Sequence, residues 1–200
     1  MKLLLGTSNS GKAREINEYF EDLDINIVTL DDISKKIPPP EEPHQTIEEN
    51  AFLKARHYSE KTNLRTISDD GGLFIDALNG WPGVKSAKVA ESAEKKIEVV
   101  LNMLNEKNNN DRSARFKSAV FFHDPEKNIS FSSVGTTKGE IINNPEKIET
   151  DQLGYDPIFK VNETERTYAE LSEQEKNEIS HRGKALEDIK TFLNNYYKTC

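Results

Sequence analysis

The apolar segments of this chain are short, and the first of them sets the pattern for the rest. Three leucines at 3–5 are followed at once by the small, polar stretch GTSNSGK, and apolar residues then recur at helical spacing from Ile16 to Phe20. This order predicts a buried strand, a polar loop and a helix. The leucine run is far shorter than the ~20 apolar residues of a membrane-spanning helix. Gly6 also interrupts it too early for a signal peptide.

Strand and helix patterns continue to alternate along the chain. Capping boxes at Thr46/Glu49 and Ser172/Glu175 predict the starts of two helices, the first running to about Lys61. The other predicted elements are strands at 25–30, 65–68 and 73–78, a helix at 93–105, a hairpin of 113–123 with 128–137, and a final helix near the end. Intermingled strands and helices indicate an α/β protein with a mixed sheet, and we expect one domain over residues 1–200.

Composition excludes several classes of protein. The chain has 200 residues, 34% of them hydrophobic, and a net charge of −8, which argues against a broad basic surface for DNA or RNA. The single cysteine, Cys200, leaves no internal disulfide framework and no cysteine-based metal site. We therefore expect a cytoplasmic protein that binds neither nucleic acid nor membranes.

The GTSNSGK stretch has the character of a phosphate-binding loop. It matches the first seven positions of the P-loop motif, but Ala13 follows where that motif has a magnesium-binding Ser or Thr. Backbone N–H groups, a helix N-terminus and the charge of Lys12 would still favour a phosphate. The alternative is an ordinary strand-to-helix turn with a solvated lysine.

Asp69 and Asp70 come directly after a predicted strand and before Gly71 and Gly72. Paired carboxylates at a strand end suit Mg²⁺, which prefers oxygen ligands and keeps some of its waters. The alternative is an Asp-rich turn. The glutamates of 41–49 are typical of a solvated loop and helix face, so only an acid brought beside the aspartates by the fold would be a ligand.

Two further strings are unusual, LGYDPIF at 153–159 and EKNEISHRGKAL at 175–186. The second interrupts a helical stretch with Ser180, His181, Arg182 and Gly183, several hydrogen-bond donors and a flexible residue. Together with the earlier motifs, these strings resemble the inosine/xanthosine triphosphate pyrophosphatase family. The segments that carry the resemblance are TSNSGKAREI at 7–16, TIEENAFLKA at 46–55, SDDGGLFIDALNGWPG at 68–83, ARF at 114–116, LGYDPIF and EKNEISHRGKAL.

The resemblance implies an elongated central mixed sheet flanked by helices, with a nucleotide cleft between two lobes, assembled as a homodimer. It implies an enzyme, a nucleoside triphosphate pyrophosphatase with a Mg²⁺ cofactor and a small-molecule nucleotide substrate. Such an enzyme hydrolyses ITP, dITP and XTP to the monophosphate and pyrophosphate. Protein groups around the base would donate hydrogen bonds to the 6-oxygen of hypoxanthine or xanthine. The 6-amino group of adenine is itself a donor, so adenine would leave those groups unpaired.

The resemblance also assigns roles to residues by motif position. Those that would hold the triphosphate are Thr7, Ser8, Asn9, Lys12, Lys54 and Lys176. Those that would bind Mg²⁺ are Glu42, Asp70 and, beside them, Asp69; Asp70 would also orient or deprotonate the attacking water, with Lys12 and Lys54 as its catalytic partners. Those that would surround the substrate base and sugar are Tyr155, Asp156, Ser180, His181 and Arg182, and further substrate-binding residues would be Gly71, Leu153 and Gly154.

The chain departs from the family pattern at three places. Gly71 replaces the serine of the usual DDSG, Leu153 replaces the phenylalanine before GYD, and residues 84–88 (VKSAK) replace the usual GxYSAR tail. Loss of an aromatic stack at Leu153 predicts weaker nucleotide affinity or altered base preference. Two other functions stay open: a pyrophosphatase for other modified or pyrimidine triphosphates, and a non-catalytic nucleotide-binding protein.

Overall fold

A computed structural model describes residues 2–107, 110–143 and 154–198 of the chain. Its six strands form one sheet in the order β2-β1-β3-β4-β5-β6. The strands are β1 Lys2–Leu5, β2 Asn26–Val28, β3 Arg65–Ile75, β4 Ser113–Asp124, β5 Ile129–Ile141 and β6 Phe159–Val161. The helices are α1 Ser10–Tyr19, α2 Ile47–Thr62, α3 Ala93–Asn105, α4 Glu173–Ile179 and α5 His181–Lys198.

The sheet is mixed, as the sequence predicts. β1 pairs in parallel with β2 and with β3, whereas β5 and β6 are antiparallel. β4 and β5 are neighbours joined by a four-residue turn, a connection that only antiparallel strands permit. The α/β class with a central mixed sheet is therefore confirmed.

The chain divides into two compact units, and it passes between them within β3, β4, β5 and the first turn of α5. Unit 1 comprises Met1–Asp70, Ser118–Gly135 and Arg182–Cys200, and unit 2 comprises Gly71–Lys117 and Thr136–His181. Each unit has its own hydrophobic core. The prediction of a single domain over the whole chain stays a prediction.

In unit 1, helices cover both faces of the sheet. Leu3 and Leu5 pack with α1 and α5, while Leu4 between them is fully buried on the opposite face. α2 lies on that opposite face. Its Phe52 contacts Phe121 of β4, whereas Val120 and Phe122, on either side of Phe121, point into the core formed with α1 and α5. A strand buried on both faces has no room for polar alternation, and this explains the leucine run.

The core of unit 2 is built on the far ends of the long strands. Leu73 and Ile75 of β3 and Phe116 of β4 pack with α3 and with residues around β6. Among the described residues, no helix combines the length and the apolar content needed to cross a bilayer.

One sequence expectation is wrong: the aspartate pair does not lie in a turn between two short strands. β3 runs without interruption from Arg65 to Ile75, and Asp69 and Asp70 are in its interior. Gly72 serves packing instead, because a Cβ on it would lie 2.1 Å from the Gly83 carbonyl oxygen. Glycine here permits close approach of two backbones, which the sequence cannot distinguish from a turn.

Candidate active site

The loop between β1 and α1 presents a helix N-terminus beside the central strands. Asn9 caps α1, since its side-chain oxygen accepts a hydrogen bond from the Lys12 backbone N–H at 3.1 Å. Gly6 is required because a Cβ there would lie 2.4 Å from Ser68 Oγ. The capped end leaves the other first-turn N–H groups and the positive end of the helix dipole available to an anion.

Two of the predicted phosphate residues border open space. Thr7 and Ser8 line a cavity of about 720 Å³ in unit 1, together with Tyr58 of α2. This volume is within the usual range of small-molecule pockets. The loop is thus reachable by a ligand.

Asp69 is the centre of a buried ionic network. Its Oδ2 atom lies 3.2 Å from Lys12 Nζ and accepts hydrogen bonds from Arg182 Nε at 3.1 Å and Ser118 Oγ at 3.4 Å. Burial by itself raises the pKa of the Asp69 carboxyl, but the charges of Lys12 and Arg182 outweigh it and hold that pKa well below its usual range. Asp69 is therefore ionised and already neutralised by its own two cations.

The same network reaches α1 through a residue that the sequence analysis did not single out. Glu15 accepts a hydrogen bond from Arg182 Nη1, and both side chains are largely buried, at 15% and 8% exposure. Lys12, which directly follows Gly11 of the loop, is also largely buried, with 18% of its side chain exposed, and this burial lowers its pKa. Two acids and two cations thus form a charge-balanced cluster under the loop.

A second cluster joins Glu42, Lys54 and Asp70. Lys54 Nζ lies 3.0 Å from Glu42 Oε1 and donates a hydrogen bond to Asp70 Oδ1 at 2.9 Å. Burial lowers the pKa of Lys54, but the surrounding carboxylates, Asp70 first, leave it above its ordinary value. Burial also raises the pKa of Asp70, and the lysines only partly offset that effect. Asn50, another residue without a sequence-based role, donates to Asp70 Oδ2 at 3.4 Å.

The three predicted metal ligands are thus divided between the two clusters. Consecutive residues of a strand project to opposite faces, so Asp69 and Asp70 meet different partners. Over residues 2–107, 110–143 and 154–198, no three His, Cys, Asp or Glu side chains are grouped as a metal site. Glu42 and Asp70 nevertheless fit a hard cation, because an ammonium already holds the place between their oxygens and the Asn50 Oδ1 atom is buried without a hydrogen-bond partner.

Unit 2 contains most of the residues predicted to surround the base. Tyr155 Oη donates to the Ser86 carbonyl oxygen at 3.0 Å, and burial raises the pKa of this phenol. Asp156 pairs with Lys176 Nζ at 2.6 Å. Gly154 has φ +59°, a left-handed conformation that favours glycine, and it begins the described segment; Leu153 lies outside the described residues.

Ser180 and His181 occupy the sharp break between α4 and α5. Ser180 ends α4 with its backbone extended at ψ 158°, and His181 begins α5. The His181 ring stacks on Phe116 with centroids 4.8 Å apart, and its backbone N–H donates to Tyr168 Oη at 3.4 Å. The aromatic support from β4 was not predicted, although Phe116 belongs to the ARF string.

Two of the departures from the family pattern, Gly71 and residues 84–88, lie within the described residues and have different structural surroundings. Gly71 is half-buried in β3, so a serine hydroxyl is missing directly after Asp70. The segment Gly83–Lys88 is a 3₁₀ helix held to β3 by Ser86, whose Oγ accepts from the Leu73 N–H at 2.9 Å and donates to the Gly83 oxygen at 2.6 Å. The serine of that segment therefore keeps a structural role here.

These features define an α/β protein in which buried lysines and acids adjoin a strand-to-helix phosphate loop, an arrangement suited to anhydride chemistry on an anionic substrate. The comparisons specify the class further. The Ham1 family model matches residues 3–192, and the chain belongs to this family.

Individual relatives match over nearly their full lengths. A protein of Oceanobacillus iheyensis named dITP/XTP pyrophosphatase is 41% identical over 196 residues, covering 96% of this chain and 98% of the relative. A Coxiella burnetii protein of the same name is 39% identical over 197 residues, covering 96% of both.

Solved structures agree with the fold. A HAM1 protein from Coxiella burnetii has a TM-score of 0.87 at 39% identity, covering 98% of this chain and 99% of that one. The Staphylococcus aureus Ham1 protein has a TM-score of 0.84 at 33% identity, covering 98% and 100%.

Proposed function

We propose that this protein hydrolyses deaminated purine nucleoside triphosphates such as dITP, ITP and XTP to the monophosphate and pyrophosphate. The substrate class is supported by full-length similarity to relatives named dITP/XTP pyrophosphatase. The chemistry is supported by one observation above all, the Lys54 ammonium held between Glu42 and Asp70. Oxygen ligands and lysines at one place suit a divalent cation and the charge of a triphosphate.

In the proposed reaction the chain supplies positioning and charge neutralisation. The α1 N-terminus with Thr7 and Ser8 would bind phosphoryl oxygens, and Lys12 would add a positive charge. Glu42 and Asp70 would hold Mg²⁺, which when bound neutralises phosphate charge and polarises the reacting phosphoryl group. Asp70 would orient the attacking water and take its proton as the bond between the α- and β-phosphoryl groups breaks.

Base selection is assigned to the residues of unit 2 and the start of α5. His181, fixed by the Phe116 ring, would donate to the 6-oxygen of hypoxanthine or xanthine, with Tyr155 and Asp156 around the base and sugar. Adenine has an amino donor at that position, so it would leave these groups unpaired. Lys176, predicted to add positive charge for the triphosphate, is paired with Asp156. Arg182 contacts Asp69 and Glu15, and we propose that it supports His181 from the adjoining position in α5.

We further propose that the protein acts on the cytoplasmic nucleotide pool as a homodimer. The homodimer follows from the family resemblance, and the large apolar side chains exposed among the described residues, Phe52, Ile129 and Val134, are candidates for its contact surface.

The test of function is pyrophosphate release from dITP, ITP, XTP, GTP, ATP and UTP with Mg²⁺, for the wild type and Asp70→Asn. We expect preference for the first three substrates and a loss of at least about 10²-fold in kcat for the variant. Asp76→Asn is the matched control, since Asp76 follows the same strand but forms an exposed ion pair with Arg115. Preferential cleavage of UTP would favour the modified or pyrimidine substrates instead, and binding without pyrophosphate release would contradict an enzymatic role.

A further inference from the structure

The position of Lys54 has a consequence for how a metal ion enters the site. Its ammonium is 3.0 Å from Glu42 Oε1 and 2.9 Å from Asp70 Oδ1, so it lies where a cation shared by these two carboxylates would lie. A magnesium ion needs oxygen atoms at about 2.0–2.1 Å. Two positive charges cannot share this position, because their repulsion is strong at such separations in a partly buried site.

The neighbouring acid does not relieve this competition. Asp69 is engaged by Lys12 and Arg182. In the part of the chain that the structure describes, no third acid joins Glu42 and Asp70. A divalent cation would thus find two carboxylates that already have a counter-ion, and it would need further oxygen ligands.

Lys54 has a fixed backbone position and a long, flexible side chain. Its backbone is in α2, which is anchored by the buried residues Ala51, Ala55 and Tyr58. Four rotatable methylene groups allow the ammonium to move several ångströms while the helix stays in place. The pair is open on the side of Glu42, whose side chain is 25% exposed.

We propose that Lys54 is a tethered counter-ion that occupies the cation position of Glu42 and Asp70 until a triphosphate draws its ammonium away. The inference rests on the proposed function, since it takes the nucleotide's phosphates as the new partner of Lys54. Metal and triphosphate then bind with positive coupling, because each removes an obstacle for the other. The metal-free, nucleotide-free protein keeps its acids neutralised and has little affinity for Mg²⁺.

The test is calorimetric titration of Mg²⁺ into the nucleotide-free protein. Lys54→Met removes the charge and keeps a long apolar side chain, so we expect Mg²⁺ to bind about tenfold more tightly, or about 1.4 kcal/mol. Lys61→Met is the matched control, the same change at an exposed lysine of α2, and its Mg²⁺ affinity should equal that of the wild type. Lys54→Arg, which keeps the charge, should also remain weak.

A second titration uses the unaltered protein. With saturating α,β-methylene inosine triphosphate, wild-type affinity for Mg²⁺ should rise at least tenfold over the nucleotide-free value, after correction for Mg²⁺ binding by the free analogue. In Lys54→Met the rise should be smaller. Unchanged or weaker Mg²⁺ binding by Lys54→Met overturns the proposal, and if that variant does not fold, absence of coupling in the wild type overturns it.

These outcomes are independent of turnover. Wild-type protein that releases no pyrophosphate from any triphosphate contradicts the proposed function, even when the Mg²⁺ titrations behave as expected. Normal turnover by the wild type, together with a Mg²⁺ affinity that Lys54→Met leaves unchanged, contradicts the tethered counter-ion alone.

Discussion

At the scale of single residues, the pairing of Glu15 with Arg182 decides whether the network around Asp69 is balanced. Glu15 is the second acid of a cluster that contains the two cations Lys12 and Arg182. Its neutralisation leaves a buried guanidinium with one counter-ion. Charged groups that lose a partner in such surroundings are destabilising well beyond the value of an exposed ion pair.

We therefore predict that Glu15→Gln lowers the free energy of unfolding by about 1.5–3 kcal/mol. Urea denaturation at neutral pH measures this. Glu18→Gln is the control, the same change one turn further along α1 at a more exposed ion pair with Arg14, and it should stay within about 0.5 kcal/mol of the wild type. Equal losses of stability in the two variants would show that the buried Glu15–Arg182 pair contributes no more than the exposed pair.

The stack of His181 on Phe116 gives a prediction for substrate affinity. Phe116→Leu keeps an apolar side chain but removes the ring that orients His181. We expect KM for dITP to rise about 5- to 50-fold, the equivalent of about 1–2.3 kcal/mol, with a smaller change in kcat. Steady-state kinetics on purified variants measures both constants.

A second ring stack supplies the control for that experiment. Phe131 stacks on Phe192 in unit 1 with centroids 4.4 Å apart, and Phe131→Leu makes the same change outside the proposed base site. It should lower stability while leaving KM unchanged. A comparable rise of KM in both variants would assign the effect to general loosening of the protein.

At the scale of elements, Asp124 joins two strands, a turn and the final helix. This fully buried carboxylate accepts hydrogen bonds from Arg65 Nε of β3 at 2.7 Å and from Tyr196 Oη of α5. It also accepts from the backbone N–H groups of Glu126 and Lys127 at 2.8 and 3.1 Å, which fixes the turn between β4 and β5. The C-terminal helix is therefore attached to unit 1 by a charge as well as by its apolar face.

The predicted effect of Asp124→Asn depends on pH. Burial raises the pKa of Asp124, but its hydrogen bonds to Tyr196, the Lys127 N–H and Arg65 outweigh this and leave the pKa below its usual range. Between that pKa and the unfolded value of about 3.9, the folded state binds fewer protons, so stability falls as pH falls through this interval. The charge contributes fully above about pH 5 and is lost as the pH falls through the lowered pKa of the folded state.

We expect the variant to be about 3 kcal/mol less stable than the wild type at pH 7, with the difference shrinking as the pH is lowered below about 4. Urea unfolding of both proteins between pH 7 and pH 3 measures this. A difference that is constant over the whole range would mean that the Asp124 carboxylate charge is not what attaches α5.

Local signals in the sequence predicted several elements well. Both predicted N-caps are present, with Thr46 accepting from the Glu49 N–H and Ser172 from the Glu175 N–H, and α3 has the predicted bounds. Of these two caps, the reciprocal half of the capping box forms only at Ser172, because Glu49 accepts from the Thr46 hydroxyl instead of the Thr46 backbone. Caps and helical periodicity depend on residues three or four apart, which a sequence displays directly. The continuity of β3 was missed because Gly72 meets the Gly83 backbone, a contact between segments that no local pattern shows.

At the scale of the whole molecule, the candidate site could be predicted only as a set of residues. Family resemblance supplied Lys12, Lys54, Asp70 and Arg182, but not their pairing. Asp69 meets Arg182 across 113 positions of sequence and Asp70 meets Lys54 across 16. Which carboxylate takes which cation follows from the alternation of β3 and the packing of α1, α2 and α5 around it.

The division into units also affects how the protein can fold while it is synthesised on the ribosome. The segments of unit 1 are the first, third and last parts of the chain to be synthesised, and Arg182 belongs to the last. Until it emerges from the exit tunnel, Asp69 lacks one of its two cations, and β1, β3 and β4 lack one of the two helices that cover their shared face. Unit 1 therefore cannot complete its folding before the segment from Arg182 onwards has been synthesised, and we expect a chain that stops before α5 to be unstable and open to proteolysis.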